Sequence, residues 1–162
     1  MLRVITLNLN GIRSAASKGV FGWLARQKAD VICVQELKAQ AADMSDEMHA
    51  PAGYHGQPHY AEKKGYSGTG IYSKRKPDKV VTGFGVREFD DEGRYVRIDL
   101  DGVSLISIYL PSGSSGEHRQ QSKFRFLDAF LPHMAALRKE GREIVVCGDW
   151  NIAHKEIDLK NW

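Results

Sequence analysis

Cysteine is scarce in this chain: Cys33 and Cys147 are the only two among 162 residues. Both lie inside apolar runs, with no histidine or second cysteine at metal-binding spacing. They read as two small buried hydrophobes rather than as a disulfide or a catalytic thiol, which agrees with a reducing compartment. No apolar run approaches the roughly 20 residues needed to cross a bilayer. The first residues enter a strand pattern without a basic-then-apolar leader, so a cytoplasmic protein with no membrane partner is expected. An excess of one charge is missing too, since 23 Lys plus Arg stand against 20 Asp plus Glu and leave a net +3. That balance is compatible with nucleic acid but needs a local basic patch to argue for it. Internal repeats, low-complexity tracts and linkers are absent, and one domain over residues 1–162 is expected.

The hydrophobic fraction of 42% and charged fraction of 27% are those of an ordinary globular protein. A chain this long buries roughly two-thirds of its unfolded surface on folding. Short β-branched runs predict strands over 3–7, 30–34, 70–73, 79–85, 94–100, 103–110 and 143–147. Asp101-Gly102 between two of these runs is a two-residue hairpin signal. A helical stripe of Val20, Trp23, Leu24 and Gln27 between the first two strands predicts an opening βαβ unit. Residues 39–64 are polar and punctuated by Pro51, Gly53, Gly56 and Pro58, which predicts irregular chain with a short helix near 43–48. Phe124, Leu127, Leu131 and Met134 lie at helical spacing within 117–138, and Pro132 predicts a kink or break there. Lys74-Arg75-Lys76 reads as a turn without a site role. The whole reads as mixed sheet with helices packed outside it.

The functional signal lies at the strand ends. Ile144-Val145-Val146-Cys147 runs into Gly148-Asp149-Trp150-Asn151, Val4-Ile5-Thr6-Leu7 into Asn8-Leu9-Asn10-Gly11, and Val31-Ile32-Cys33-Val34 into Gln35-Glu36. Ligands of open α/β sheets collect outside the carboxyl ends of strands. Three such ends tipped with Asn, Asp or Glu predict one shared polar site.

These blocks, together with Gly65-Tyr66-Ser67-Gly68-Thr69-Gly70, Tyr109-Leu110-Pro111-Ser112-Gly113, Ile152-Ala153-His154 and Ile157-Asp158-Leu159, occur in an order and at a spacing that resemble the exodeoxyribonuclease III group. That group belongs to the endonuclease/exonuclease/phosphatase superfamily. The resemblance runs from end to end and implies a four-layered α/β sandwich of two packed sheets flanked by helices. It places this chain on the first half of that fold and the start of the second. It also implies that the family pattern continues past residue 162, with a second metal-site aspartate and a Ser-Asp-His block, so the expected domain is C-terminally incomplete.

The resemblance implies a Mg²⁺-dependent phosphodiesterase, with Mn²⁺ as a substitute, that acts on double-stranded DNA at abasic sites and trims 3′ ends. No obligate protein partner is implied. Such chemistry needs a metal on the phosphate, a positioned water and a proton acceptor. Mg²⁺ takes only one or two protein carboxylates beside waters and phosphate oxygens. Glu36 is the expected ligand, against a reading as a solvated strand-end carboxylate, and Asn8 matches a position beside the metal. Asp149 is expected to orient or deprotonate the water, and Asn151 to donate to the phosphate. Without the resemblance, Asp-x-Asn after a strand reads as an Asx turn. Tyr109 matches a tyrosine on the scissile phosphate. Asn10 reads equally as a DNA contact and as part of an Asn-Gly turn.

Arg13 and Lys18 after the first strand, and Arg119, Lys123 and Arg125 after the Tyr109 loop, could line a phosphate backbone with Gly113-Ser114-Ser115-Gly116. A solvated helix face explains Lys123 and Arg125 equally well. His154 and Asp158 match a polar block near the site, His154 in a structural role. The alternative is a non-catalytic nucleic-acid-binding regulatory protein on the same fold, which the 158–162 tract also resembles; Glu36, Asp149 and Asn151 together argue for the enzyme. A phosphodiesterase of lipids or small molecules is a third reading, disfavoured by the 65–70 and 109–113 blocks.

Overall fold

The computed structural model describes residues 1–113 and 116–158. Strand β1 (Val4–Asn8) leads through helices α1 (Ile12–Ser17) and α2 (Val20–Gln27) to β2 (Val31–Gln35). A 3₁₀ turn (Ala41–Asp43), α3 (Asp46–His49), β3 (His55–His59) and β4 (Thr69–Ser73) complete the first sheet, in the order β1-β2-β4-β3. The second sheet, β5-β6-β7-β8, is built from β5 (Lys79–Thr82), β6 (Tyr95–Leu100), β7 (Val103–Tyr109) and β8 (Glu143–Asp149). Helix α4 (Arg87–Asp90) joins β5 to β6, and α5 (Glu117–Arg138) joins β7 to β8. Both helical crossovers connect parallel neighbours, β1 with β2 and β7 with β8. The other pairings are antiparallel.

Side-chain alternation along the strands divides the core into layers. Val31 and Cys33 of β2 join Ile71, Val96, Ile98 and Leu105 between the two sheets, whereas Ile32 and Val34 turn outward beneath α1 and α2. On the second sheet, Ile106 and Ile108 turn the other way, onto Phe126, Phe130 and Leu137 of α5. Helix, sheet, sheet and helix thus form the expected four-layered sandwich. Each fully buried large apolar side chain contributes about 1.5–3 kcal/mol.

Several local expectations needed correction. Strand β3 lies in the segment read as irregular. His55-Gly56-Gln57-Pro58-His59 has no apolar alternation and is a strand because β4 offers an edge, with Pro58 opposite Gly70. Gly56 is required there, since a Cβ would sit 1.7 Å from the His49 carbonyl oxygen. Strand β5 stops at Thr82 rather than at 85. Gly83 turns the chain at φ +76, and the Asp90 carboxylate accepts from the Phe84 and Gly85 backbone N–H groups, each at 2.9 Å. Helices α1 and α4 were not anticipated.

Helix phases also differ from those expected. In α2 the buried residues are Phe21 and Leu24, and Trp23 is 41% exposed. In α5 the buried stripe is Ser122, Phe126, Phe130 and Leu137; of the expected residues Leu127 and Met134 pack against this cluster partly buried, whereas Phe124 and Leu131 are 54% and 66% exposed. No break occurs at Pro132: α5 spans 22 residues through it. Phe126 and Phe130 before the proline and Leu137 after it pack into one cluster, which holds both arms of the helix. Among the described residues, no helix is long and apolar enough to cross a membrane.

Candidate active site

Strand parity decides which end residues meet. Val4 of β1, Val103 and Leu105 of β7 and Cys147 of β8 face the space between the sheets. Counting on by twos, Asn8, Tyr109 and Asp149 occupy that same face at the ends of their strands. The parallel pairs bring Asn8 level with Gln35 and Tyr109 level with Asp149. Because β1 and β2 pack across from β7 and β8, four carboxyl ends converge. Glu36 follows β2 with φ +55, an uncommon left-handed conformation for a non-glycine residue. Its carboxylate joins the group.

The centre is an amide between two acids. Asn8 Nδ2 donates to Glu36 Oε1 and to Asp149 Oδ2, each at 2.9 Å. Asn8 Oδ1 accepts from the Asn10 backbone N–H at 2.9 Å, which fixes the orientation of the amide. The Asn151 N–H donates to Asp149 Oδ1 at 2.9 Å, so both oxygens of Asp149 are held. This is the Asx turn that Asp-x-Asn forms, here with Asn151 at φ +49. Asn151 Nδ2 donates to the Leu110 carbonyl at 2.8 Å, and Lys123 Nζ donates to the Asn151 carbonyl at 2.8 Å.

Lys38 supplies the local positive charge. Its Nζ lies 2.6 Å from Glu36 Oε2 and donates to Asn10 Oδ1 at 2.6 Å. The Tyr109 hydroxyl interacts with the Glu36 carboxylate as well. Burial raises the Glu36 pKa, but the bonds from Asn8, Lys38 and Tyr109 outweigh it and hold the group below the usual glutamate value. Tyr109 moves the opposite way. Burial first, then the negative charge of Glu36, push its phenol well above the usual tyrosine value, with Arg94 opposing. The phenol is therefore a donor at neutral pH.

A polar floor supports these groups. Buried Gln35 donates to Ser107 Oγ at 2.9 Å, and Ser107 donates to the Val34 carbonyl at 3.1 Å. These bonds bind β2 to β7 immediately beneath the strand ends.

The structure gathers Asn8, Glu36, Tyr109, Asp149 and Asn151 at one centre, with Asn10 and Lys123 bonded to its rim. Arg13 is exposed on α1 and lines a groove of about 430 Å³ with Gly11, Ser14, Lys38 and Gly65. Arg119 stands further off, 3.8 Å from Glu92 and 5.7 Å from the Tyr66 ring. Lys18 lines a groove that runs from Asn8 and Asn10 past Trp23 and Arg26 of α2. Arg125 pairs with Glu88 at 2.6 Å and is drawn away from the site. The Asp158 carboxylate accepts from the backbone N–H groups of His154 and Lys155, at 3.0 and 2.9 Å, a turn-stabilising role. Ser114, Ser115 and residues 159–162 of the expected site segments lie outside the described residues.

The sequence assigns no role to Lys38, Tyr66 or Arg94. Lys38 has a signal, a cation two positions beyond a candidate ligand. Arg94 has none, because a charge at the first position of a predicted strand ordinarily faces water.

The donor set suits a hard divalent cation. Such an ion takes oxygen ligands, which the Glu36 carboxylate offers. Among the described residues, no group of three or more His, Cys, Asp or Glu side chains is placed to hold a metal. An all-protein cage is therefore not what these residues form.

Comparison with known proteins agrees. The chain is 37% identical over 161 residues to an exodeoxyribonuclease of Bacillus subtilis (strain 168), covering 99% of this chain and 62% of that protein. It is 33% identical over 162 residues to a DNA-(apurinic or apyrimidinic site) endonuclease of Dictyostelium discoideum, covering 99% of this chain and 44% of that one. The structure of an AP endonuclease from Archaeoglobus fulgidus superposes with a TM-score of 0.85 at 29% identity, over 99% of this chain and 62% of that chain. The chain thus spans between two-fifths and two-thirds of the length of these relatives. Residues 5–162 match the model of the Endonuclease/Exonuclease/phosphatase family, and with the fold and the strand-end cluster in agreement, the chain belongs to that family.

Proposed function

We propose that this protein hydrolyses phosphodiester bonds of double-stranded DNA with a divalent metal, preferentially Mg²⁺, cutting at abasic sites and trimming 3′ ends. The observation that carries this reading is the Asn8 amide bonded at 2.9 Å to both Glu36 and Asp149 at the meeting of four strand ends. The names and similarity of the relatives support the choice of DNA as substrate.

Glu36 would hold the metal, with Asn8 fixing the carboxylate toward it. When bound, the ion would supply a positive charge that polarises the phosphate. Asp149 accepts the proton of the attacking water, and it is suited to this because both of its oxygens are already oriented. Protonated Tyr109 can turn its hydroxyl from Glu36 to a phosphate oxygen. Asn151 commits one amide N–H to Leu110 and has a second for the charge that develops on the phosphate. Asn10, Arg13, Arg119 and Lys123 meet the backbone on either side, where charge orients the duplex without reading sequence.

The test is cleavage of an end-labelled duplex carrying one abasic site, across a Mg²⁺ titration, by the protein and its Glu36→Gln variant. The reading expects metal-dependent incision that the variant loses while staying folded. Equal cleavage by both across the titration would remove Glu36 from the metal site. Binding of the duplex without incision at any Mg²⁺ concentration would favour the non-catalytic regulatory protein instead.

A further inference from the structure

Arg94 is the most deeply buried guanidinium beside the site, with its side chain 2% exposed. Burying a cation costs several kcal/mol unless its donors are fully used. Here they are used on three different partners. Nε lies 2.5 Å from Glu92 Oε2, Nη1 donates to the Tyr109 carbonyl at 2.9 Å, and Nη2 donates to the Tyr66 hydroxyl at 3.0 Å. The guanidinium also lies over the Tyr109 ring, 4.9 Å from its centroid, and 5.7 Å from that of Tyr66.

The β6–β7 register explains the match. Tyr95 pairs with Ile108, so Arg94 falls opposite Tyr109, whose N–H donates to the Arg94 carbonyl at 3.0 Å. Backbone, carbonyl and ring of Tyr109 are therefore all engaged by one residue. Packing alone would be served by a methionine of similar length without the desolvation cost.

We propose that Arg94 is a positioning residue that holds the Tyr109 hydroxyl at the Glu36 carboxylate and ties this placement to the Tyr66 loop. The proposal rests on the nuclease reading for its consequence in turnover, but not for its consequence in the placement of Tyr109. Lysine in its place keeps the charge and loses the planar fork and the stack. The Tyr66 ring has further cations near it, Lys63 at 5.4 Å and Arg119 at 5.7 Å. A phosphate drawing on those cations would reach Tyr109 through Arg94.

Two measurements on the protein test this. In single-turnover and steady-state cleavage of the abasic duplex, Arg94→Lys is expected to lower kcat by about 10²-fold, the cost of misplacing a group by an ångström, with KM little changed. In a Tyr109→Phe background the same substitution is expected to cost less than about threefold, because residues acting through one another are not additive. In ¹³C NMR of ring-labelled tyrosine, the Tyr109 signal, assigned by its loss in Tyr109→Phe, is expected to shift and broaden in Arg94→Lys.

Equal losses in both backgrounds, or an unmoved Tyr109 signal, would overturn the proposal. Should Arg94→Lys fail to fold, Tyr66→Phe removes one acceptor of Arg94 without stranding a buried charge, and an unmoved Tyr109 signal there overturns it equally. If the parent does not cleave DNA, the nuclease reading fails while the NMR result still decides the placement.

Discussion

Asn8 and Asp149 stand 141 residues apart in sequence and 2.9 Å apart in space, amide nitrogen to carboxylate oxygen. Their strands lie at the edges of different sheets, so this bond joins the sheets at the mouth of the site. The same nitrogen serves Glu36. Asn8→Asp replaces a shared donor with a third negative charge among the carboxylates. Its expected effect is a fall in turnover of about 10²-fold or more, as for loss of a preorganised donor. Circular dichroism and melting should show a folded protein. Parental turnover in this variant would show that the bridge is not needed for catalysis.

Asp149→Asn keeps the shape of the site and removes the proposed proton acceptor. General base catalysis contributes about 10²–10⁴-fold. Turnover should fall by that amount while duplex binding, measured by fluorescence anisotropy, persists. That binding should weaken steeply with salt, as counterion release dictates. Near-parental turnover would assign the water-activating role elsewhere.

Lys38 and Glu36 give a pH prediction. Bonds from Asn8, Lys38 and Tyr109, set against burial, hold Glu36 below the ordinary glutamate value of 4.5. A depressed carboxylate pKa stabilises the fold above the unfolded value, and that contribution is lost as pH falls through the folded one. Lys38→Met removes one of the opposing contributions, so the Glu36 midpoint, followed by carboxyl ¹³C NMR, should rise toward or past 4.5. Acid unfolding should then depend less on this residue. An unmoved midpoint would show that the Lys38 bond does not persist in solution.

The strand-end site was legible because three of its strands advertise themselves, as β-branched runs closed by Asn, Glu or Gly-Asp. Period-2 alternation then carries Asn8, Tyr109 and Asp149 onto the faces of Val4, Leu105 and Cys147, and only the packing of the two sheets shows that these faces meet. Strand β3 was not legible, because its hydrogen bonds are set by β4 and not by its own composition. In α5 both the 124/127/131/134 stripe and the 126/130/137 stripe are apolar enough to face a core. Only the position of Phe84, Phe89 and Tyr95 decides for Phe126 and Phe130. Arg94 was hidden for a different reason: its burial depends on Glu92, Tyr66 and Tyr109 arriving together.

The second sheet carries a buried ion pair whose loss should be costly. Arg97 donates to both oxygens of Asp99, at 2.7 and 2.8 Å, with side chains 4% and 6% exposed. Ser104 donates to Asp99 Oδ1 at 2.7 Å. Asp99→Ala leaves the Arg97 charge with Glu140, which is 45% exposed. Removing one partner of a buried pair costs about 3–5 kcal/mol. Urea unfolding should show a loss in that range, and a change under ~1 kcal/mol would mean that the pair behaves as a surface one.

Pro132 sits within α5, exposed to solvent, with helix on both sides. It has no N–H for the Asp128 carbonyl, and its ring crowds that carbonyl. The interior of a helix disfavours proline by about 3 kcal/mol relative to alanine. The helix nevertheless continues, since Phe126, Phe130 and Leu137 are anchored in the same cluster and breaking it would expose them. Stability is thus being lost locally at a position with no partner in the site. Pro132→Ala restores the donor without disturbing the buried face and should stabilise the protein by about 1–3 kcal/mol, part of the proline penalty having been relieved by local adjustment. The measurement is the urea midpoint at unchanged m-value, with cleavage of the abasic duplex as a control expected to match the parent. An unchanged or lower midpoint would show that the helix has adapted to the proline, so that the missing hydrogen bond no longer limits stability.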